Sequence, residues 1–141
     1  MKEFNYFLDS NIFLRPIVKD DIKKVKECEE VFKKIKDGKI KVFTSNIILA
    51  ELVWVGQRFY KIKKEELVEV LKSILDFKNL KIRDDFNSRL AIEIYEKKSV
   101  KFIDALIASN PAIFRKEIIV VSYDKDFDKI GIKRIEPKKI V

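Results

Sequence analysis

Five acidic residues lie where the surrounding sequence predicts either burial or the end of a strand. Glu51 and Asp104 are each the single acid of an otherwise apolar helical stretch, whereas Asp9, Asp124 and Asp126 follow short apolar runs. Because acids are rarely buried without a partner, this pattern indicates a shared site. Carboxylates that converge repel one another, and a hard divalent cation such as Mg²⁺ or Mn²⁺ would reverse the sign of that interaction.

Each of these acids also has a purely structural explanation. Those that follow the apolar runs could be ordinary turn residues, since aspartate commonly caps turns. Glu51 could pair with Arg58, and Asp104 with Lys101, on a narrow solvent-exposed stripe. A metal site is favoured because the four acids Asp9, Glu51, Asp104 and Asp124 can converge on one cleft of an α/β fold.

The composition excludes several other chemistries. The 141 residues include no histidine, which rules out a Ser-His-Asp triad, a histidine base and an imidazole metal ligand. Cys28 is the only cysteine, so neither an internal disulfide nor a Cys/His zinc site can form. A calcium-binding loop beginning at Asp124 is excluded because Lys129 stands at its glycine position and Ile135 at its final glutamate position. Hydrolysis would therefore depend on carboxylates, lysines, hydroxyls or a metal bound by oxygen.

Strands and helices are predicted to alternate along one domain that spans residues 1–141. The apolar patterns favour strands at 4–8, 40–44, 80–82, 118–121 and 132–135, and helices at 20–36, 46–59, 63–77, 84–97 and 102–109. Pro111 either interrupts the last helix or begins a further turn. This order predicts a three-layer α/β/α fold with a mainly parallel central sheet, whose sites lie at the carboxyl ends of the strands. Glu51 and Asp104 are expected in helices that follow strands.

Charge and hydropathy indicate the cellular setting and the kind of partner. The chain carries 31 Lys and Arg against 23 Asp and Glu, a net charge of +8, which favours an anionic partner. Its N-terminus lacks the apolar core of a signal peptide, and no apolar run approaches the ~20 residues that span a membrane. We therefore expect a soluble, cytoplasmic protein that has no membrane partner.

Four segments of the chain resemble the motifs of the PIN-domain nucleases, most closely the small single-domain VapC-type toxins. They comprise Asp-Ser-Asn at 9–11 within 7–14, Ala-Glu-Leu at 50–52 within 45–52, Asp-Ala at 104–105 within 102–108, and Ser-Tyr-Asp-Lys-Asp at 122–126 within 121–127. The segments match in order and spacing and cover essentially the whole chain. No single one of them is specific, but four in register are a strong signal.

The resemblance implies a metal-dependent endoribonuclease with a parallel sheet flanked by helices. In that family's arrangement, Asp9, Glu51, Asp104 and Asp124 would be catalytic and hold one or two Mg²⁺ or Mn²⁺ ions. Asp126 would be an additional ligand or a neighbour of the ligands. The reaction would be the attack of water on an RNA phosphodiester.

The same resemblance implies supporting roles for neighbouring polar residues. Asn11 and Ser122 would orient the carboxylates or a bound water, and Ser122 stands where the family often has threonine. A basic rim around the acidic site would hold the RNA backbone, and Arg15 is the best single candidate for this contact.

The resemblance also implies two protein partners, a small antitoxin and a second copy of the chain. The apolar helices within 46–77 are the expected interface surface. We expect Trp54, Phe59 and Tyr60 to belong to the core or to an interface rather than to stack on bases. Two alternatives remain open, namely an RNA-processing PIN nuclease without an antitoxin and a non-catalytic α/β nucleic-acid-binding module. A receiver-type phosphate sensor is disfavoured because it needs a lysine at the end of its last strand, whereas Ser122, Tyr123 and Asp124 occupy the late strand end here.

Overall fold

The computed structural model describes residues 3–140, in which strands and helices alternate. The strands are β1 (Tyr6–Leu8), β2 (Val42–Thr44), β3 (Leu80–Ile82), β4 (Ile119–Val121) and β5 (Arg134–Ile135). The helices are α1 (Ser10–Val18), α2 (Ile22–Lys36), α3 (Asn46–Tyr60), α4 (Lys64–Asp76), α5 (Ser88–Lys97), α6 (Phe102–Ala108), α7 (Pro111–Phe114) and α8 (Asp126–Ile130), with a 3₁₀ turn at Pro137–Lys139. Each predicted strand is present, although most are shorter than expected. Of the N-terminal segment examined for a signal peptide, Met1 and Lys2 lie outside the described residues.

All five strands form one parallel sheet in the order β3-β2-β1-β4-β5. The prediction of a mainly parallel sheet is confirmed. The central strands are buried on both faces, with Phe7, Leu8, Val120 and Val121 fully inaccessible to solvent. Such continuous apolar runs are typical of parallel strands that helices cover on both sides.

The order of the strands places a crevice between β1 and β4. From β1 the chain builds outward to β2 and β3, and it then returns to the other side of β1 to form β4 and β5. At such a reversal the connections leave the two strands in opposite directions, which leaves room for a ligand outside the carboxyl ends. Leu8 pairs with Val121 at the end of both strands, so Asp9 and Ser122 enter the crevice side by side.

The helices differ from the predictions in several places. Helices α1 and α8 were not predicted, and α1 contains Pro16 in its last turns. The segment 84–87 is not helical, because Asn87 caps α5 and the helix begins only at Ser88. Asp104 lies in α6, which follows α5, so the prediction that its helix follows a strand was wrong. Pro111 begins the separate helix α7, which decides between the two alternatives at that position.

The large aromatic residues at the end of α3 lie on the surface. Trp54 is 56% exposed and Phe59 is 62% exposed, so the core is excluded as their location and an interface stays a prediction. Across residues 3–140, every helix is too short or too polar to cross a membrane.

Candidate active site

Asp9 is held at the end of β1 by its role as the cap of α1. Its side chain accepts a hydrogen bond from the backbone N–H of Ser10 at 2.8 Å, which satisfies one of the free donors at the start of the helix. Ser122 Oγ donates to Asp9 Oδ2 at 2.5 Å. Asp9 is only 3% exposed, so these donors take the place of water around a buried carboxylate.

The hydroxyl group of Ser122 links the ends of β1 and β4 by hydrogen bonds. While it donates to Asp9, it accepts from Asn11 Nδ2 at 3.1 Å and from the backbone N–H of Asp124 at 2.9 Å. A hydroxyl has one proton to donate and two lone pairs, so its capacity is complete. Asn11 and Ser122 therefore occupy positions from which they can orient the carboxylates, as their predicted roles require.

Three aspartates, which we call the aspartate group, bring their carboxylates together next to Asp9. One oxygen from each of Asp104, Asp124 and Asp126 lies within 4.8 Å of the other two. Asp104 comes from the first turn of α6, Asp124 from the loop after β4, and Asp126 from the first residue of α8. The backbone N–H of Asp126 donates to Asp124 Oδ1 at 2.9 Å, which fixes the loop that carries both.

Glu51 reaches the same end of the sheet from α3. Ser45 caps this helix directly after β2, which places Glu51 in its second turn. Ser10 Oγ donates to Glu51 Oε1 at 2.6 Å and so links this carboxylate to the start of α1. The alternative pairing with Arg58 is not seen, since that guanidinium lies over the ring of Trp54 at 5.7 Å.

The five predicted acids form what we call the carboxylate cluster, Asp9, Glu51 and the aspartate group. Asp9 and Glu51 do not belong to the close aspartate group, whereas Asp126, expected only as an additional acid, does. The pKa of Asp9 is raised to about 6, chiefly by burial and also by the charges of Glu51 and Asp124, while the hydrogen bond from Ser122 opposes the shift. The acids therefore lie close enough to influence one another's ionisation.

Asp104 is the most strongly perturbed member of the cluster. Burial raises its pKa to about 8, with Lys101 opposing the shift and the charges of Asp124 and Asp9 adding to it. Asp104 is 2% exposed, and its Oδ2 has no hydrogen-bond partner among residues 3–140. A buried carboxylate oxygen without a donor is costly unless a cation complements it. The donor set consists of oxygen atoms, which hard ions such as Mg²⁺ and Mn²⁺ prefer, so these residues are compatible with a divalent ion.

Lys101 is the site residue that the sequence reasoning placed only in a structural role. Its Nζ lies 3.4 Å from Asp124 Oδ2 and 4.0 Å from Asp104 Oδ2. The expected pairing with Asp104 is thus present, but Asp104 is buried rather than on an exposed stripe. Lys129 Nζ lies 3.1 Å from Asp126 Oδ1, so two ammonium groups lie beside a cluster of five acids.

Arg15, the predicted RNA contact, lies near the site in an ion pair. Its Nη1 is 3.1 Å from Asp20 Oδ1, and its guanidinium lies 5.8 Å from the ring centre of Tyr123. Tyr123 lies between Ser122 and Asp124 in the chain, so Arg15 reaches the margin of the carboxylate cluster through its contact with Tyr123.

Replacing Ser122 with alanine is expected to weaken divalent-ion binding and catalysis by about 10- to 100-fold. The substitution removes the donor to Asp9 and the acceptor for the Asp124 N–H, and loss of such orienting contacts typically has an effect of this size. Isothermal titration with Mn²⁺ measures the affinity independently of activity. Ser122→Thr keeps the hydroxyl and should retain most of the affinity. Ser73→Ala removes an exposed hydroxyl on α4 and serves as the control. Unchanged Mn²⁺ affinity in Ser122→Ala would show that Ser122 does not position the carboxylates.

Comparisons with known proteins show which family the chain resembles. The PIN-domain family model matches residues 6–133 of the chain. A VapC ribonuclease from Aquifex aeolicus is 28% identical over 131 residues, which cover 92% of this chain and 95% of the relative.

Solved structures show the same fold. VapC20 from Mycobacterium tuberculosis, a toxin that cleaves the sarcin-ricin loop, has a TM-score of 0.69 at 17% identity and covers 94% of this chain and 100% of its own. VapBC2 from Rickettsia felis, bound to a DNA fragment from their promoter, has a TM-score of 0.62 at 26% identity, with 93% and 97% covered.

Proposed function

The chain belongs to the PIN-domain family, and on that basis we propose that it is a divalent-metal-dependent endoribonuclease, the toxin of a VapBC-type pair. The observation that carries the proposal is the carboxylate cluster at the crevice between β1 and β4. Five acids converge there, and one buried oxygen of Asp104 has no donor within the described part of the chain. The similarity to a VapC ribonuclease along nearly the whole chain supports the choice of RNA as the substrate.

Each member of the cluster has a distinct proposed role. Asp104, Asp124 and Asp126 would hold Mg²⁺ or Mn²⁺, because their oxygens lie closest together. Asp9 would complete the negative charge around the ion. When bound, the ion would lower the pKa of a water molecule and stabilise the charge that develops on the phosphate oxygens. Glu51 lies outside the aspartate group and would accept the proton of the attacking water.

The remaining polar residues hold these acids in place. Ser122 and Asn11 fix Asp9 and the Asp124 loop, while Ser10 fixes Glu51. Lys101 would bind a phosphate oxygen of the substrate, because its ammonium lies beside the aspartate group and is half exposed. The absence of histidine from the chain is consistent with proton transfer by a carboxylate.

The proposed partners are a small antitoxin and a second copy of this chain, in the cytoplasm. The fold similarity to VapBC2, whose two proteins are bound to their own promoter, supports the first partner. Trp54 and Phe59 form an exposed edge-to-face pair at 5.6 Å, which favours an interface within 46–77. A short reading frame directly upstream of the gene would favour the antitoxin over a stand-alone processing nuclease.

Digestion of total RNA with and without a chelator tests the proposed activity. We expect discrete cuts in the presence of Mg²⁺ or Mn²⁺ that disappear in EDTA and return when the ion is restored, because the carboxylates alone would repel the phosphate backbone. Mapping the new RNA ends identifies the target. The absence of cleavage with either ion, at RNA concentrations at which the protein binds, would favour a non-catalytic module.

A further inference from the structure

A groove lined by three lysines lies beside the carboxylate cluster. It is an open groove of about 760 Å³ between the end of α5, the start of α6 and α8. We call it the lysine groove, and its lining includes Tyr95, Lys98, Ser99, Lys101, Asp126 and Lys129.

The lysine groove opens directly onto the proposed metal site. Asp126 lines the groove and also belongs to the aspartate group. Lys101 lines it and lies 3.4 Å from Asp124. A ligand chain that leaves the carboxylate cluster on this side therefore enters the groove without crossing any other element.

The charge of the groove suits a phosphate backbone. Three lysines and one aspartate line the groove. Lys129 Nζ pairs with Asp126, one turn away on α8, at 3.1 Å and donates to the carbonyl oxygen of Ser99, in the loop between α5 and α6, at 3.4 Å. Because the carboxylate cluster repels phosphates, positive charge directly beside it is where a polyanion gains most.

An aromatic pair at the groove favours nucleotides over an acidic peptide. Tyr95 and Phe102 form an edge-to-face pair with ring centres 5.5 Å apart, and they are 52% and 42% exposed. An acidic peptide would use only the lysines, whereas unpaired bases stack on exposed aromatic rings next to basic grooves.

We propose that the lysine groove binds the single-stranded RNA segment on one side of the bond that is cut, with phosphates at Lys98 and Lys129 and a base on Tyr95. This assignment rests on the proposed function, because it takes the substrate to be RNA. It also specifies where the RNA lies, since the bound RNA strand extends from the carboxylate cluster toward α5 and α8.

Binding of a fluorescein-labelled single-stranded RNA 12-mer to the full chain, measured by anisotropy in EDTA, tests the groove without cleavage. Lys98→Gln and Lys129→Gln should each make the slope of log affinity against log salt shallower by about 0.7, the value for one phosphate contact. Tyr95→Ala should weaken binding by about fivefold or more, whereas Tyr95→Phe keeps the ring and should bind as the wild type does. The matched control is Lys36→Gln with Lys39→Gln, at the opposite end of the sheet, which should keep the wild-type slope.

Cleavage of the same 12-mer by the wild type in Mn²⁺ separates this inference from the proposed function. Groove variants that bind RNA as the wild type does would overturn the inference, even where the wild type cleaves. Weaker binding by the groove variants, together with a wild type that never cleaves, would support the groove and refute the nuclease. If the substitutions spare RNA binding but weaken binding of polyglutamate, the groove takes an acidic protein and the inference is wrong.

Discussion

Asp104→Asn is expected to lower the rate of RNA cleavage by about 100-fold or more while the fold stays intact. The substitution keeps the shape of the side chain but turns the carboxylate, whose buried Oδ2 has no donor among residues 3–140, into a neutral amide. Because loss of a group that merely orients a metal ligand already has an effect of about 10- to 100-fold, loss of a ligand should be at least as severe. Initial rates on one RNA oligonucleotide, at saturating Mn²⁺, measure the effect.

Asp76→Asn is the matched control for this substitution. Asp76 is an exposed aspartate at the end of α4, before β3 begins, and it therefore lies at the opposite end of the sheet from the carboxylate cluster. The Asp76→Asn variant should cleave RNA at the wild-type rate. Circular dichroism and the unfolding midpoint establish that both variants are folded. A folded Asp104→Asn that cleaves at the wild-type rate would remove Asp104 from the proposed metal site.

The metal-free protein is expected to lose stability as the pH rises from about 4 to 8. The pKa of Asp104 is raised from its ordinary 3.8 to about 8, and that of Asp9 to about 6, chiefly by burial. In this window the folded state keeps protons that the unfolded chain releases, so the free energy of unfolding falls with increasing pH. The slope reaches at most about 1.4 kcal/mol per pH unit for each retained proton. Above about pH 8 both groups are ionised, and the loss is complete.

Urea unfolding in EDTA at pH 5.5, 7 and 8 measures this slope. Asp104→Asn has no carboxyl proton to lose at this position. Its free energy of unfolding should therefore change less with pH between 6 and 8 than that of the wild type, and the variant should be more stable than the wild type at pH 8. Added Mn²⁺ should stabilise the wild type increasingly as the pH rises, since the ion replaces the proton. A metal-free wild type that is equally stable from pH 5.5 to 8 would mean that Asp104 is not buried as a carboxylate among like charges.

The acids of the site could be predicted from sequence because each breaks a local pattern. Glu51 and Asp104 interrupt apolar helices, while Asp9 and Asp124 follow strands whose last two residues are fully buried, and these positions converge in the parallel sheet. Their grouping could not be predicted, since the distances depend on how α6 and α8 pack. For this reason the sequence placed Asp126 at the margin of the site, whereas the structure places it in the aspartate group.

Other errors arose from contacts that are remote in sequence. Segment 84–87 has helical spacing, yet Asp84 accepts hydrogen bonds from Asn46, and the N–H of Asn87 donates to Ser109 Oγ. These contacts hold the segment extended.

Helix α1 had a local signal, because Asp9 is a good N-cap before an apolar run. Pro16 obscured that signal, although a proline near the end of a helix removes only one hydrogen bond.

The central claim is that water, activated at the carboxylate cluster by a divalent ion, cleaves RNA. Cleavage of a defined RNA oligonucleotide in ¹⁸O-labelled water with Mn²⁺, followed by mass spectrometry of both ends, tests it most directly. The account predicts one ¹⁸O atom in each new phosphate, ordinary hydroxyl groups on the other ends, and no product in EDTA. Ends that carry a 2′,3′-cyclic phosphate and form equally well in EDTA would mean that the RNA's own 2′-hydroxyl attacks without a metal, and would contradict it.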